Sequence, residues 1–155
     1  MDGSALDGYC GLWCDACKIV KAERNGTQDG IAGILGVEPS EIHCKGCRSE
    51  DVFTGCSRCP MRACASTREV EFCSDCPDFP CGEYRRIASS GDSLPPHFRT
   101  TIRNLGEIRE KGASEWRRLQ AGRWACPSCG RPFSWYAEEC SCGQDLRGRK
   151  DWENL

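Results

Sequence analysis

Cysteine is the residue type in this chain whose number and spacing could do chemistry. Fifteen of the 155 residues are cysteine. Most occur as Cys-x-x-Cys pairs, which let two thiolates reach one metal ion from a single tight turn. A Gly or Pro follows several pairs and helps the backbone make that turn. The pairs are Cys14/Cys17, Cys44/Cys47, Cys56/Cys59, Cys73/Cys76 and Cys126/Cys129, with a tighter Cys140/Cys142.

The redox setting of these thiols is indicated by the start of the chain. Residues 1–8 read MDGSALDG, without a basic start and an apolar run, so we expect no secretory signal peptide. In a cytosolic protein, cysteines paired at this spacing favour metal ligation over disulfides. No apolar run approaches the ~18 residues that span a bilayer. The sequence therefore predicts a cytoplasmic protein whose folding and metal binding are one event.

An internal repeat concentrates the thiols in the first half of the chain. Residues 56–64 and 73–81 share the pattern Cys-x2-Cys-Pro-x3-Cys, so each copy presents three thiolates locally. Residues 10–17 hold a third trio at x3 and x2 spacing, and residues 43–47 hold one histidine and two cysteines. This density predicts several metal sites before residue 82.

Zinc that stabilises the fold is the leading interpretation of this density. Zn²⁺ takes four thiolate or imidazole ligands in a closed tetrahedral site, and such sites contribute directly to folding. Twelve candidate ligands are enough for three such sites. They are Cys10, Cys14, Cys17, His43, Cys44, Cys47, Cys56, Cys59, Cys64, Cys73, Cys76 and Cys81.

Two partitions of these ligands stay open. One gives each local trio a fourth ligand taken from residues 43–47. The other keeps each x2 pair on one ion, so that pair 14/17 joins pair 44/47 and pair 56/59 joins pair 73/76. His97 has no cysteine near it in the sequence, and we do not expect it to be a ligand.

A separate four-cysteine site is predicted near the C-terminus. Two turns, at residues 126–129 and 140–142, each donate two thiolates across a connection of ten residues, which is typical of a zinc ribbon. The ligands are Cys126, Cys129, Cys140 and Cys142. Phe133, Trp135 and Tyr136 between the turns have the spacing of a strand.

Helices must position these knuckles. The sequence predicts short helices over 15–24 and 29–35, the second ended by Gly36. Pro95 and Pro96 suit a helix start. An apolar stripe then recurs at helical spacing up to Gly112, and Ser114 suits the cap of a following helix. The stripe is formed by Phe98, Ile102, Leu105 and Ile108, and Trp116 and Leu119 are the inward residues expected of the second helix.

The predicted fold class is a small, metal-stapled protein with four parts. Residues 1–90 form an irregular cysteine-knuckle domain with short helices, and residues 91–123 form a helical hairpin that connects it to the rest. Residues 124–145 form the C-terminal zinc ribbon, and residues 146–155 form a tail that we expect to fray.

Charge is spread unevenly over a chain of net charge −2. Residues 1–82 carry 8 basic and 13 acidic residues, whereas residues 83–124 carry 9 basic and 5 acidic ones. The basic segment 85–123 is a candidate contact with nucleic acid or protein, and a solvated helix face is the alternative. The candidate contacts are Arg85, Arg86, Arg99, Arg103, Arg117, Arg118 and Arg123.

The order of these motifs resembles a known family. Tyr9-Cys10-Gly-Leu-Trp-Cys14-Asp-Ala-Cys17, Cys44-Lys-Gly-Cys47-Arg and Phe72-Cys73-Ser-Asp-Cys76-Pro-Asp-Phe-Pro-Cys81 are similar to the cysteine-rich prokaryotic proteins catalogued as domain of unknown function 3795. The resemblance covers about residues 9–82. It implies a zinc-binding protein of bacterial or archaeal origin and implies no activity.

Redox chemistry is the main alternative to zinc that stabilises the fold. The trio at 10–17 has the spacing used by radical S-adenosylmethionine enzymes, but the chain is too short for the barrel around such a cluster. Electron transfer through iron–sulfur clusters in the N-terminal part is the alternative that stays open. No HExxH, GxSxG or phosphate-binding Gly loop is present, so the sequence favours a binding or adaptor module over an enzyme.

Overall fold

Seven short helices, joined by turns and loops, organise the chain. The computed structural model describes residues 6–150, and within that range it contains no strand, only three isolated β-bridges. None of the described helices is long and apolar enough to cross a membrane. The helices are α1 (Lys18–Asn25), α2 (Gln28–Leu35), α3 (Thr54–Ser57), α4 (Pro60–Thr67), α5 (Gly82–Ala88), α6 (Thr101–Lys111) and α7 (Ala113–Arg123). Short 3-10 turns lie at Cys14–Ala16, Pro39–Glu41, Cys73–Asp75, Gly91–Ser93, Pro96–Thr100 and Arg147–Arg149.

The first two helices confirm the sequence prediction closely. α1 and α2 each end at a glycine in the left-handed conformation, Gly26 at φ 66° and Gly36 at φ 68°, where a side chain would be strained. Their inward residues pack into a small core of their own, which is formed by Ile19, Val20, Ala22, Ala32, Ile42, Cys44 and Val52. One thiol therefore already lies inside an apolar core.

Helices α6 and α7 form the predicted hairpin, with two corrections. Gly112, at φ 84°, ends α6 and is also the N-cap of α7, so the expected cap at Ser114 is wrong. Ile102 was expected inward but is 57 % exposed, because Thr101, Leu105 and Ile108 already occupy the buried face. Leu105 is completely buried, as predicted.

The main core lies between the N-terminal turns and this hairpin. Trp116 of α7 is fully buried and meets the rings of Trp13 and Phe72 edge-on, each at 5.8 Å between centroids. Asn104 of α6 donates from Nδ2 to the carbonyl of Gly11 at 2.7 Å. Gly11 has φ 82°, and a Cβ there would lie 3.1 Å from Leu105, so glycine is required for this close approach.

A buried carboxylate ties three distant parts of the chain together. Asp7 is completely buried, and its two oxygens accept hydrogen bonds from the guanidinium groups of Arg48 and Arg117. The same arginines bond Glu71, Arg48 to its carbonyl at 2.6 Å and Arg117 to its carboxylate at 2.7 Å. Arg48 also lies 4.4 Å from the ring centroid of Tyr9. We call this set the Asp7 network.

The segment after α7 packs onto the main core without forming strands. The strand expected at Phe133 to Tyr136 is absent from the described structure, since a bridge at Pro132 leads directly into a turn. Phe133 and Trp135 are nevertheless buried. The expected fraying of the tail is wrong for its first residues, because Leu146 is fully buried and its amide donates to the Glu138 carbonyl at 2.8 Å. The last five residues of that tail lie outside the described range.

Candidate metal centres

The four C-terminal cysteines meet at one point. The Sγ atoms of Cys126, Cys129, Cys140 and Cys142 all lie within 4.8 Å of one another, and we call them the C-terminal cluster. Across the hairpin, Cys126 Sγ lies 3.6 Å from Cys142 Sγ, and Cys129 Sγ lies 3.6 Å from Cys140 Sγ. Zn–S bonds of about 2.3 Å place the sulfurs of a tetrahedral site about 3.8 Å apart. The cluster therefore has the spacing that a single metal ion requires.

Two glycine turns create this spacing. In the first, the Cys126 amide donates to the Arg131 carbonyl at 2.9 Å, and the Gly130 amide donates back to the Cys126 carbonyl at 2.8 Å. The second turn repeats the pattern one residue shorter, with the Gly143 amide donating to the Cys140 carbonyl at 2.8 Å. Both glycines have positive φ, 74° and 86°. The shorter Cys-x-Cys turn therefore also brings both of its thiols to the cluster, because Gly143 adopts the positive φ that the tight turn needs.

Each of the two turns has one buried thiol and one exposed thiol. Cys126 and Cys140 are buried, whereas Cys129 and Cys142 are exposed. The hydrogen bond from the Cys142 amide lowers the pKa of the Cys140 thiol to about 6. The hydrogen bond from the Gln144 amide opposes a rise in the pKa of Cys142, but hydrogen bonds with the neighbouring thiols raise it to about 11. A thiolate is the form that binds metal, so this turn favours the metal-binding form at Cys140.

Aromatic side chains fix the C-terminal cluster against the main core. Trp124, directly before the cluster, meets Phe133 at 5.7 Å between ring centroids. Trp135 stacks on His97 at 4.1 Å, and His97 Nδ1 lies 2.6 Å from the Tyr136 hydroxyl. Burial, with a contribution from the nearby Lys18 charge, lowers the pKa of His97 to about 4. The ring of His97 therefore contacts three aromatic side chains, those of Phe98, Trp135 and Tyr136.

The N-terminal thiols form three neighbourhoods, and the first surrounds Cys47. Burial raises the pKa of Cys10, and repulsion from Cys47 and Cys59 adds to it. Burial also raises the pKa of Cys14, and repulsion from Cys47, Cys17 and Cys10 adds to it. We call Cys10, Cys14, Cys47 and Cys59 the Cys47 group.

A second neighbourhood contains three thiols. Burial raises the pKa of Cys56 to about 12, with Cys17 and Cys44 as the strongest repelling neighbours. Burial likewise raises the pKa of Cys17, opposed by hydrogen bonds from the amides of Val20 and Ile19 in the first turn of α1. We call Cys17, Cys44 and Cys56 the Cys17 group. It lies where the small core meets the main core.

The third neighbourhood surrounds a cavity. Cys64, Cys73, Cys76 and Cys81 line it together, and we call it the four-thiol cavity. Burial raises the pKa of Cys73 to about 12, and Cys81 and Cys64 are the strongest of the neighbouring thiols that add to the shift.

The three neighbourhoods overlap. Cys17 is among the thiols that raise the pKa of Cys14, and Cys47 and Cys59 are among those that raise the pKa of Cys56. Both partitions considered from the sequence therefore stay open.

Spacing distinguishes the N-terminal thiols from the C-terminal cluster. Among residues 6–150, the C-terminal cluster is the only group of three or more Cys, His, Asp or Glu ligand atoms that all lie within 4.8 Å of one another. His43 directly precedes Cys44 in the sequence, and its Nδ1 bonds Asp51 Oδ1 at 2.5 Å. The N-terminal sites therefore stay a prediction.

Most of the arginines suggested as partner contacts are paired within the chain. At least five of the seven bond a carboxylate. Arg117 belongs to the Asp7 network, and the others pair with carboxylates on their own or adjoining elements. The pairs are Arg86–Glu83, Arg99–Asp92, Arg117–Asp7, Arg118–Glu115 and Arg123–Glu107.

Comparison with known proteins places the N-terminal half in a family. The model described as "Protein of unknown function (DUF3795)" matches residues 6–86. No curated protein and no solved structure matches the chain.

Proposed function

Since the chain belongs to the DUF3795 family of proteins of unknown function, we propose that it is a metal-binding module whose C-terminal cluster holds one zinc ion that stabilises the fold. The single observation that supports zinc is the thiol spacing of 3.6 Å across both sides of the cluster. Four thiolates at tetrahedral spacing are a closed set of ligands, which is typical of zinc that stabilises a fold. In outline the segment 124–145 is then a zinc ribbon with turns in place of strands.

Elemental analysis of the full chain tests this proposal. Protein purified without oxygen is expected to contain zinc, and Cys129→Ser should remove about one zinc per chain. Cys129 is chosen because its side chain is exposed, so the substitution disturbs packing little. Ser128→Ala on the same turn is the matched control and should retain all zinc. Unchanged zinc in Cys129→Ser would overturn the assignment.

The N-terminal thiols extend the proposal to several metal ions per chain. Their burial as thiols raises their pKa, and a bound cation would reverse this effect by stabilising the thiolates. Amides that point at Cys10, Cys17 and Cys47 support the same interpretation, since metal-bound thiolates commonly accept such bonds.

His43 is proposed as the fourth ligand that the three-thiol Cys17 group lacks. A carboxylate bonded to one ring nitrogen is the usual support for a histidine that binds metal through the other, and Asp51 bonds Nδ1. His43→Ala should therefore lower the metal content by about one ion. His43→Gln serves as a control for surface packing. Full metal content in the alanine variant would show that His43 is not a ligand.

A binding or adaptor role is the broader part of the proposal. The basic segment 85–123 supports it by its charge, although most of its arginines already have carboxylate partners. If this surface binds nucleic acid, its affinity for a short duplex should fall steeply with salt. Absent or salt-independent binding would remove nucleic acid as the partner and direct the search to proteins.

A further inference from the structure

The four-thiol cavity has an unusual lining. Its thiols come from α4 and from the second copy of the repeat, where Cys73 opens a 3-10 turn and Cys81 caps α5. Apart from the thiols and two charged residues, the wall is mainly apolar. It is formed by Met61, Ala65, Val70, Phe79 and Tyr84, with Arg68 and Glu83 as the charged members.

The cavity is wider than a single ion requires. Within the described part of the chain, no three of its thiols lie within 4.8 Å of one another, whereas the C-terminal cluster meets that limit with all four. The C-terminal cluster acts as an internal reference because the same chain folds it to single-ion spacing. Four thiols that face one space at a wider separation suit a polynuclear cluster, in which each thiolate binds a different iron.

A single arginine contacts the sulfur of the cavity. Arg68 Nη1 donates to Cys76 Sγ at 3.2 Å and also bonds Asp78 Oδ2 at 2.6 Å. Hydrogen bonds to ligand sulfurs and solvent exclusion are the means by which a protein sets the potential of an iron–sulfur cluster. The cavity has one such donor and a mainly apolar wall, with Cys64 and Arg68 exposed at its edge.

We infer that the four-thiol cavity binds an iron–sulfur cluster of the four-iron, four-sulfide class, with Cys64, Cys73, Cys76 and Cys81 as its ligands. Arg68 is a positioning residue that stabilises the Cys76 thiolate. The inference deepens the proposed metal binding by assigning a cofactor class to one N-terminal site, and it rests on that proposal only in requiring that these thiols bind metal.

Anaerobic reconstitution with ferric iron, sulfide and a thiol reductant, which reduces half of the iron to the ferrous state, tests the inference on the full chain. We expect about four iron and four acid-labile sulfide per chain and a broad visible absorbance. Cys73→Ser and Cys76→Ser should lose most of the iron, and Cys142→Ser, which changes only the C-terminal cluster, should retain it. Because loss of an inner thiol can unfold the region, Cys64→Ser, at an exposed position on α4, is the second variant and should lose iron with an unchanged far-UV spectrum.

Arg68→Ala provides a readout that misfolding would not produce. The four thiols remain, so iron content should be retained, while loss of the donor to Cys76 should lower the midpoint potential. Arg118→Ala, which removes the same charge on α7, should leave the potential unchanged.

The outcomes separate this inference from the proposed function. Zinc in place of iron at the cavity would overturn the inference and leave the proposed zinc site intact. Iron that survives Cys73→Ser, Cys76→Ser and Cys64→Ser would overturn its placement. A chain that binds no metal at either region would overturn both.

Discussion

The two ends of this molecule hold thiols in different ways. The C-terminal cluster draws its four ligands from two turns within seventeen residues and closes them to single-ion spacing. The N-terminal thiols are gathered from turns and helix caps across some seventy residues, and they are interleaved with an apolar core. A site built from local turns can form by itself, whereas a site whose ligands come from distant turns forms only when the surrounding fold is complete. The comparison predicts that the two ends respond differently to the same change.

Metal removal should have the largest effect. Binding of structural zinc contributes about 10–16 kcal/mol in small zinc domains, more than the total stability of many domains. We expect a chelator at neutral pH to abolish the near-UV circular dichroism of the buried tryptophans. The C-terminal ion should leave first, because Cys129 and Cys142 are exposed. Metal content and circular dichroism followed in one time course check this order, and simultaneous loss from both ends would contradict it.

Replacement of single C-terminal cysteines should sharpen the comparison within one site. Cys126→Ser and Cys142→Ser are both expected to lose about one metal per chain. Cys126 is buried in the main core, whereas Cys142 faces solvent. Cys126→Ser should therefore lower the unfolding temperature further, because it also leaves a hydroxyl in apolar surroundings. Thermal unfolding with matched metal analysis measures the difference, and equal losses would mean that the core does not support the cluster.

The Asp7 network should matter more to the N-terminal end. Asp7→Asn removes the carboxylate that Arg48 and Arg117 share, so Arg48 retains the Glu71 carbonyl and Arg117 retains the Glu71 carboxylate. Loss of one partner from a buried pair costs about 3–5 kcal/mol. We expect the lower end of that range, since both arginines are partly exposed. Asp92→Asn, which removes a highly exposed partner of Arg99, is the matched control and should have little effect. Denaturant unfolding compares the two, and similar midpoints would contradict a structural role for the network.

Acid should lower the free energy of unfolding by a smaller amount, through the contact of His97 with Trp135 and Tyr136. The pKa of His97 is about 4 in the folded protein and near 6.5 when unfolded, so the unfolded chain binds the proton first. Stability is therefore lost as the pH falls from 6.5 through 4, by about 2 kcal/mol between pH 7 and pH 5.

His97→Phe isolates this contribution from acid release of metal. The ring can still stack on Trp135 but cannot be protonated, so the variant should lose less stability than the native chain between pH 7 and pH 5. Unfolding free energies at both pH values provide the measurement, and equal pH dependence would show that His97 does not control this contact.

The local features of the molecule were predictable from the sequence, and the repeat shows why other features were not. Helices ended by Gly26 or Gly36 and the four ligands of the C-terminal cluster follow from local spacing. The two repeat copies share a pattern but fold differently. In residues 56–64 the proline starts α4, whereas in residues 73–81 a second proline, Pro80, stands directly before the last cysteine and prevents a helix.

Long-range partners left no such local signal. Asp7 looks like any surface carboxylate in the sequence, and its partners lie 41 and 110 residues away. The spacing within each Cys-x-x-Cys pair predicts metal binding. Which turns contribute ligands to the same site is decided by the tertiary fold.

The Trp135 amide donates a hydrogen bond to the Ala16 carbonyl at 2.9 Å, and this contact can form only after residue 135 has been synthesised. At about 5–20 residues per second, a ribosome needs roughly 6–24 seconds to proceed from one of these residues to the other. During that interval the first cysteine knuckles have left the ribosome, but the segment that covers them has not yet been made. A nascent chain in this state exposes its thiols to the metals and oxidants of its surroundings, so we expect the N-terminal thiols to meet both before the protein is finished.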